Sequence, residues 1–245
     1  MIIIFLLYKL FTMLKTEFKP KYLYDLLRIG KNNDGGYLVE SNSIQIAKSL
    51  ISFGIGKDWS FEFHLKKIKN IPIFAYDHTI EKFEELPQFK SFFNVNRNNY
   101  FFKKKIGETL LENNNTNIEK IVNDLNLYFL GLKPPIFFKI DIEGSEYIIL
   151  NDLVKFSKSI SGLVIEFHDV PVNLNIILKF IKDIDLDLCH IHANNWGGLD
   201  SNNVPKVLEL TFARDPIKID NKSTIPHILD QRNNPRKEEI IIQFE

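Results

Sequence analysis

Short apolar runs alternate along the chain with longer stretches whose apolar residues recur at helical spacing. Leu50–Gly54, Ile73–Tyr76, Phe92–Val95, Ile136–Ile140, Leu163–Phe167, Leu188–His192 and Val207–Phe212 read as strands. Several are almost continuously apolar, as strands covered on both faces are. Between them, Trp59–Lys69, Ile118–Phe129, Glu146–Phe156 and Asn173–Ile184 carry helical spacing. Such alternation predicts right-handed crossovers and an open, mostly parallel α/β sheet. No helical pattern lies between Ala193 and Pro205, so the last two strands are expected to pair as an antiparallel hairpin at one sheet edge. Glu238–Phe244, after the turn-rich Asn233-Asn234-Pro235, reads as one more strand.

No repeat or long linker divides the chain. Residues 41–245 are expected to form one domain, with residues 1–40 as a helical extension that ends in an Asp-Gly-Gly-Tyr loop packed on the core. The apolar run Met1–Met13 is interrupted by Lys9 and falls short of the roughly 20 residues that span a bilayer. It also lacks the basic lead and small-residue cleavage site of a signal peptide. It predicts a peripheral helix with weak membrane contact and no span; alternatively, Met13 is the true start.

Composition narrows the function classes. With 44% hydrophobic and 25% charged residues, the 245-residue chain is ordinary globular protein rather than disordered. Thirty-one basic residues balance thirty-one acidic ones, which removes any general attraction to nucleic acid or an anionic membrane. The Lys103-Lys104-Lys105 triplet reads as a solvated run. Cys189 is the only cysteine, so neither an intrachain disulfide nor a cysteine metal cluster can form, and a cytoplasmic location is expected.

Chemistry concentrates where strands end. In Leu50–Glu62 an apolar strand reaches Phe53, Gly54 and Gly56 follow, and a helical pattern starts near Trp59. Glycines there permit a sharp turn and close ligand approach, and the helix N-terminus behind them offers free N–H groups. The next strand ends at Asp77-His78, where a carboxylate can accept hydrogen bonds from both ribose hydroxyls of an adenosine. A dinucleotide site wants a third glycine where this chain has Trp59, so an adenosine ligand without a pyrophosphate fits better.

Later strand ends carry Asp141 and Glu143, then Glu166 and His168, then His190, His192 and Asn194. Residues two apart share a strand face, so these sets are expected to line one cleft. Asp141 and Glu143 alone could equally cap the following helix. Together the acids and histidines suit removal of a proton from a hydroxyl, with His168 or Asp141 as the base. The same donors, Asp141, Glu143, Glu166, His168 and His190, suit Mg²⁺ or another divalent cation.

Phe138–Leu150, Phe-Lys-Ile-Asp-Ile-Glu-Gly-Ser-Glu-Tyr-Ile-Ile-Leu, resembles the Lys-Ile-Asp-x-Glu-Gly-x-Glu segment of FkbM-type S-adenosylmethionine-dependent methyltransferases. Leu163–Val170 is similar to the next family segment. Arg28–Val39 is similar to an Arg-x-Gly-x-x-x-Asp-Gly-Gly-Tyr stretch of related proteins, and the terminal Leu229–Glu239 resembles theirs too. The likeness implies a Rossmann-like, seven-stranded methyltransferase sheet, mostly parallel with an antiparallel last strand and helices on both faces. It also implies O-methylation of a small molecule such as a sugar, another surface-glycan or polysaccharide precursor, or a natural-product precursor. On it, Gly54, Gly56 and Asp77 would hold the cofactor, and Asp141, Glu143 and Glu166 would lie at the reaction centre; His78 beside Asp77 and His168 beside Glu166 are further candidates for the two roles. The family turn reads Asp-x-Gly-Ala-Asn-x-Gly, but here it is Ser52-Phe-Gly-Ile-Gly-Lys-Asp58, which shifts the cofactor's amino-acid end towards Asp34 or Tyr37. Trp196, in the Asn195–Gly198 loop, is a candidate acceptor contact. Two other classes remain open: a glycosyltransferase holding a metal at Asp183–Asp187 (Asp-Ile-Asp-Leu-Asp), and an S-adenosylmethionine-binding protein without turnover.

Overall fold

A computed structural model of the chain describes residues 10–80, 86–107, 115–128 and 132–245. Its centre is a seven-stranded sheet formed by β1 (Ser49–Phe53), β2 (Ile73–Tyr76), β3 (Asn99–Phe102), β4 (Ile136–Ile140), β5 (Ile160–Phe167), β6 (Asp187–Ala193) and β7 (Leu208–Ala213). The spatial order is β6-β7-β5-β4-β1-β2-β3. Strands β1 to β5 pair in parallel, and β7 runs antiparallel to both of its neighbours. Every residue of β1, β2, β4 and β5 is buried, which explains why these runs carry few polar residues.

Alternation along the strands divides the core in two. Ile51, Phe53, Phe138, Ile140 and Ile165 pack towards α4 (Ile118–Tyr128), α5 (Glu146–Phe156) and α6 (Val170–Asp183). Leu50, Ile73, Phe137 and Val164 face the other way, towards α1 (Ser41–Ile46) and α2 (Ser60–Ile68). Helices thus cover both faces. Two crossings at the middle of the sheet turn at β1 and β4, and their strand ends open a cleft.

The expected antiparallel hairpin of β6 and β7 forms at one edge of the sheet, with β6 outermost and β7 between it and β5. Two expectations need correction. Phe92–Val95 is not a strand: Phe92 closes α3 (Pro87–Phe92), a helix with proline in its first turn, and the strand is Asn99–Phe102. The expected N-terminal helix begins in residues 1–9, which lie outside the described residues, but Leu10–Leu14 is a strand paired in parallel with Ile240–Phe244. The following stretch to residue 40 holds one 3₁₀ turn, Thr16–Phe18, and otherwise short strands, including the hairpin Leu26–Ile29 with Tyr37–Glu40 that carries the Asp-Gly-Gly-Tyr loop. Among the described residues no helix is long and apolar enough to cross a membrane.

Candidate active site

A cleft of about 530 Å³ opens across the C-terminal ends of β1, β2, β4 and β5. Asp34, Tyr37, Gly54, Gly56, Asp77, His78, Asp141, Glu143, Glu166 and His168 all line it, as do Asn194 and Trp196. These residues meet at one place because the parallel strands all deliver their ends to the same side.

The two glycines do different work. Gly54 has φ +73°, and a Cβ there would overlap the carbonyl oxygen of Asp141. Its place is set by the close approach of two strand ends, not by a ligand. Gly56 has φ +50°, and the position of its missing Cβ has no atom within 4 Å. That open side forms a shallow cradle on the cleft. Asp77, at the end of β2, pins the turn: its Oδ2 accepts from Gly56 N at 2.8 Å, and its Oδ1 accepts from Thr79 N and Oγ1 at 2.7 Å each. Trp59, where a dinucleotide site wants glycine, precedes α2 and packs edge-on against Phe89, 5.3 Å between ring centroids.

Lys139 joins the turn to the acids. Its ammonium donates to the carbonyl of Gly54 at 2.5 Å and lies 3.6 Å from Asp141 Oδ2. The sequence pattern assigns no role to this buried lysine, two residues before Asp141 on the same strand face; a lone lysine inside an apolar strand is the signal that marks it. The Tyr37 hydroxyl lies between two carboxylates, 3.1 Å from Asp141 Oδ2 and 2.9 Å from Glu166 Oε2. Asn194 Nδ2 donates to Glu166 Oε1 at 2.9 Å. Burial, reinforced by the charges of Asp141 and Glu209, holds the Glu166 carboxyl well above the usual carboxylate range. Burial also pushes the Asp34 carboxyl and the Tyr37 phenol upward.

His168 follows β5. Burial alone would lower its imidazole, but the hydrogen bond and charge of Glu146, with Glu166 and Asp141 beyond, prevail and raise it to about 9. Its Nδ1 lies 3.1 Å from Glu146 Oε1, and its Nε2 lies 3.5 Å from Glu143 Oε2 and 3.8 Å from Glu166 Oε1. Asp141, Glu143 and His168 can each bring one donor atom to within 4.8 Å of the others.

His190 and His192 do not join this cleft. His190 Nε2 pairs with Asp230 Oδ1 at 3.0 Å, and His192 is held between Glu209 and Glu239 at 3.2 and 3.0 Å. The cause is topological. Insertion of β7 moves β6 one strand further from β5, and Glu209 of β7 stands in register between Glu166 and His192. His190 is thereby removed from the candidate metal ligands. The loop after β7 then returns over this second polar cluster: Asn233 donates to Glu209 at 2.6 Å, and Asn195 exchanges hydrogen bonds with Asn234 at 2.7 and 3.0 Å. Asn33 N donates to Gln231 Oε1 at 3.0 Å, so residues 227–239 tie the Asp-Gly-Gly-Tyr loop to the Trp196 loop. Lys237 completes the tie, donating to the carbonyl of Trp196 at 3.0 Å.

One further placement differs from the sequence-based expectation. Lys104 and Lys105 line the cleft beside Ile106 rather than forming only a solvated run. Asp183 to Asp187 span the end of α6 and the start of β6, at the opposite end of β6 from the cleft, where Asp183 pairs with Lys179 and Asp185 with Arg214.

No known family profile matches the chain, and no curated protein matches it. The likeness to FkbM-type enzymes therefore stays a likeness of short segments. Among solved structures the chain is similar to precorrin-6y C5,15-methyltransferase from Geobacter metallireducens, at 14% identity over 71% of this chain and 84% of that one, with a TM-score of 0.38. It is similar to a chain of a fibrillarin/Nop5p complex at 12% identity over 68% and 72%, TM-score 0.38. It is also similar to the aminoglycoside resistance methyltransferase NpmB1 at 12% identity over 77% and 98%, TM-score 0.33. Likenesses this distant assign no substrate and no catalytic residue.

Proposed function

We propose that the chain is an S-adenosylmethionine-dependent methyltransferase acting on a hydroxyl of a small molecule, such as a sugar or another surface-glycan or natural-product precursor. The observation that carries this reading is the continuity of one cleft. Its Gly56 cradle and Asp77 lie at one end, and the Asp141, Glu166 and His168 cluster lies at the other. The strand order, with one antiparallel strand inserted beside the parallel five, agrees with the sheet that the family resemblance implies.

Asp77, Gly56 and the adjoining His78 would hold the adenosine, with Asp77 free to accept a ribose hydroxyl on the remaining lone pair of Oδ2. Tyr37 and Asp34 would bound the amino-acid end. When bound, S-adenosylmethionine supplies a methyl group on a positively charged sulfur, open to in-line attack. The carboxylates at Asp141 and Glu143 would favour that charge, and His168, Asp141 or Glu166 would take the acceptor's proton. Trp196, half exposed at the cleft edge with the Lys237 ammonium 5.6 Å from its ring, would face the acceptor. A divalent cation at Asp141, Glu143 and His168 is the finer variant of the reading, supported by their donor spacing. The glycosyltransferase alternative is disfavoured, since Asp183–Asp187 do not line the cleft.

Calorimetry with S-adenosylmethionine, with and without Mg²⁺, tests the reading on the wild type and on Asp77→Ala. The substitution is expected to weaken binding by about tenfold or more, the loss of a charge-assisted hydrogen bond to ribose. Equal affinity for the two proteins would remove Asp77 from the site, and nucleotide-sugar binding with none of S-adenosylmethionine would remove the reading itself.

A further inference from the structure

Glu146 opens α5 with its carboxylate fully buried. Ile142 N donates to its Oε1 at 3.0 Å, and Gly144 N lies 3.2 and 3.0 Å from its two oxygens. Glu143 and Gly144, both at positive φ, turn this stretch of backbone back over the carboxylate. The third partner comes from another strand: His168 Nδ1, at 3.1 Å. The Tyr147 hydroxyl, one residue further along α5, donates to the backbone carbonyl of His168. The first turn of α5 thus fixes His168 at both its ring and its backbone. The far ring nitrogen, Nε2, is left towards Glu143, Glu166 and the cleft.

We propose that Glu146 is a positioning residue that holds the neutral His168 ring as its Nδ1–H tautomer, so that Nε2 presents a bare lone pair to the acceptor hydroxyl. A carboxylate oxygen accepts, and the fully buried Glu146 lies nearer its ring nitrogen, at 3.1 Å, than the exposed Glu143 does at 3.5 Å, so Nδ1 is the nitrogen that donates. The proposal rests on the methyl-transfer reading for the identity of the step. There, the acceptor oxygen forms its bond to the methyl carbon as the carbon–sulfur bond breaks and leaves its electron pair on sulfur. The hydroxyl proton passes to His168 Nε2, and Glu146 steadies the resulting imidazolium. This assigns the base among the three candidates: Glu166 is already engaged by Tyr37 and Asn194, and Asp141 by Tyr37 and Lys139.

The oxygen that faces Nδ1, Oε1, also accepts from the amides of Ile142 and Gly144, so a glutamine would keep its carbonyl oxygen there and hold the same tautomer. Alanine removes the acceptor altogether, and the ring proton is then expected to move to Nε2, towards the Glu143 and Glu166 carboxyl groups. The test is ¹⁵N NMR of histidine-labelled protein on the alkaline side of the His168 titration, with the signals assigned through His168→Gln. The wild type is expected to show protonated Nδ1 and bare Nε2, and Glu146→Ala to show the reverse. An Nε2–H tautomer in the wild type, or an Nδ1–H tautomer persisting in Glu146→Ala, would overturn the proposal. Should Glu146→Ala fail to fold, the wild-type tautomer alone decides. The ring nitrogens are read without any ligand, and wild-type calorimetry with S-adenosylmethionine judges the methyl-transfer reading separately.

Discussion

Gly54→Ala and Gly56→Ala should part company, although the residues lie two apart in the same turn. At Gly54 the alanine must adopt φ near +73° and place its Cβ into the Asp141 carbonyl. The left-handed conformation costs about 1–2 kcal/mol for a residue with a Cβ. Relief of the overlap must separate β1 from β4 where Asp141 N bonds Phe53 O at 3.1 Å, and it also loads the Gly54 N to Tyr76 O bond at 2.9 Å. Each bond is worth about 1 kcal/mol net. The total is about 3–4 kcal/mol, which for a chain of this size lowers the melting temperature by roughly 10 °C. At Gly56 the same substitution meets open space, so only the conformational cost remains, about 1–2 kcal/mol or a few degrees. Its Cβ would instead project into the cradle, and S-adenosylmethionine affinity should fall in Gly56→Ala despite near-normal stability. Thermal unfolding and calorimetry on the two variants provide the comparison. A Gly54→Ala protein melting with the wild type would refute the packing argument. A Gly56→Ala protein with wild-type affinity would show that the cradle holds nothing.

Other outcomes follow from the same geometry. His168 is raised to about 9 in the fold against an ordinary value of 6.5, so its stabilisation is fully present below about pH 6.5 and is lost as pH rises through about 9. The loss is on the order of 3 kcal/mol. It should appear as a shrinking difference in melting temperature between the wild type and His168→Gln over that window; a difference independent of pH would refute it. If His168 is the base, single-turnover methyl transfer should speed up across the same window. Asn195→Ala removes the side chain that binds Asn234, Lys237 and Glu238, at a cost of about 2–3 kcal/mol, and proteolytic cleavage within residues 227–239 should then accelerate. Unchanged protection would mean that the segment is held by its other contacts.

The parallel strands and their chemistry were legible in the sequence because each is a local pattern. A buried strand announces itself by continuous apolar residues, and Asp77, Asp141, Glu166 and His168 mark where such runs stop. Phe92 and Phe93 misled for the same reason: two adjacent aromatics look like a strand, but proline at position 87 starts a helix there. Asn99–Phe102 was hidden by its polar first residue and short length. The partition of the histidines could not be read locally, because His190 and His192 have the same spacing from their strand end whether β7 lies beside them or between them and β5. Leu10–Leu14 was equally out of reach, since its partner, Ile240–Phe244, lies at the other end of the sequence. Glu146 looked like an ordinary acid in a first helical turn, and only the crossing from β5 brings an imidazole to it.

Lys139 gives the cleft a further property, because one ammonium touches both the carbonyl of the glycine turn and the carboxylate of Asp141. An occupant that shifts Gly54 redistributes this single positive charge between its two partners. Occupancy of the turn and the arrangement of the acids are then linked quantities, and the linkage is reciprocal: the free energy by which one site alters the other is the same in both directions. A substitution at the acid end, such as Asp141→Asn, should therefore register as altered affinity for adenosine, which lacks the charged sulfur that Asp141 would face. The lysine makes the cleft a single thermodynamic unit.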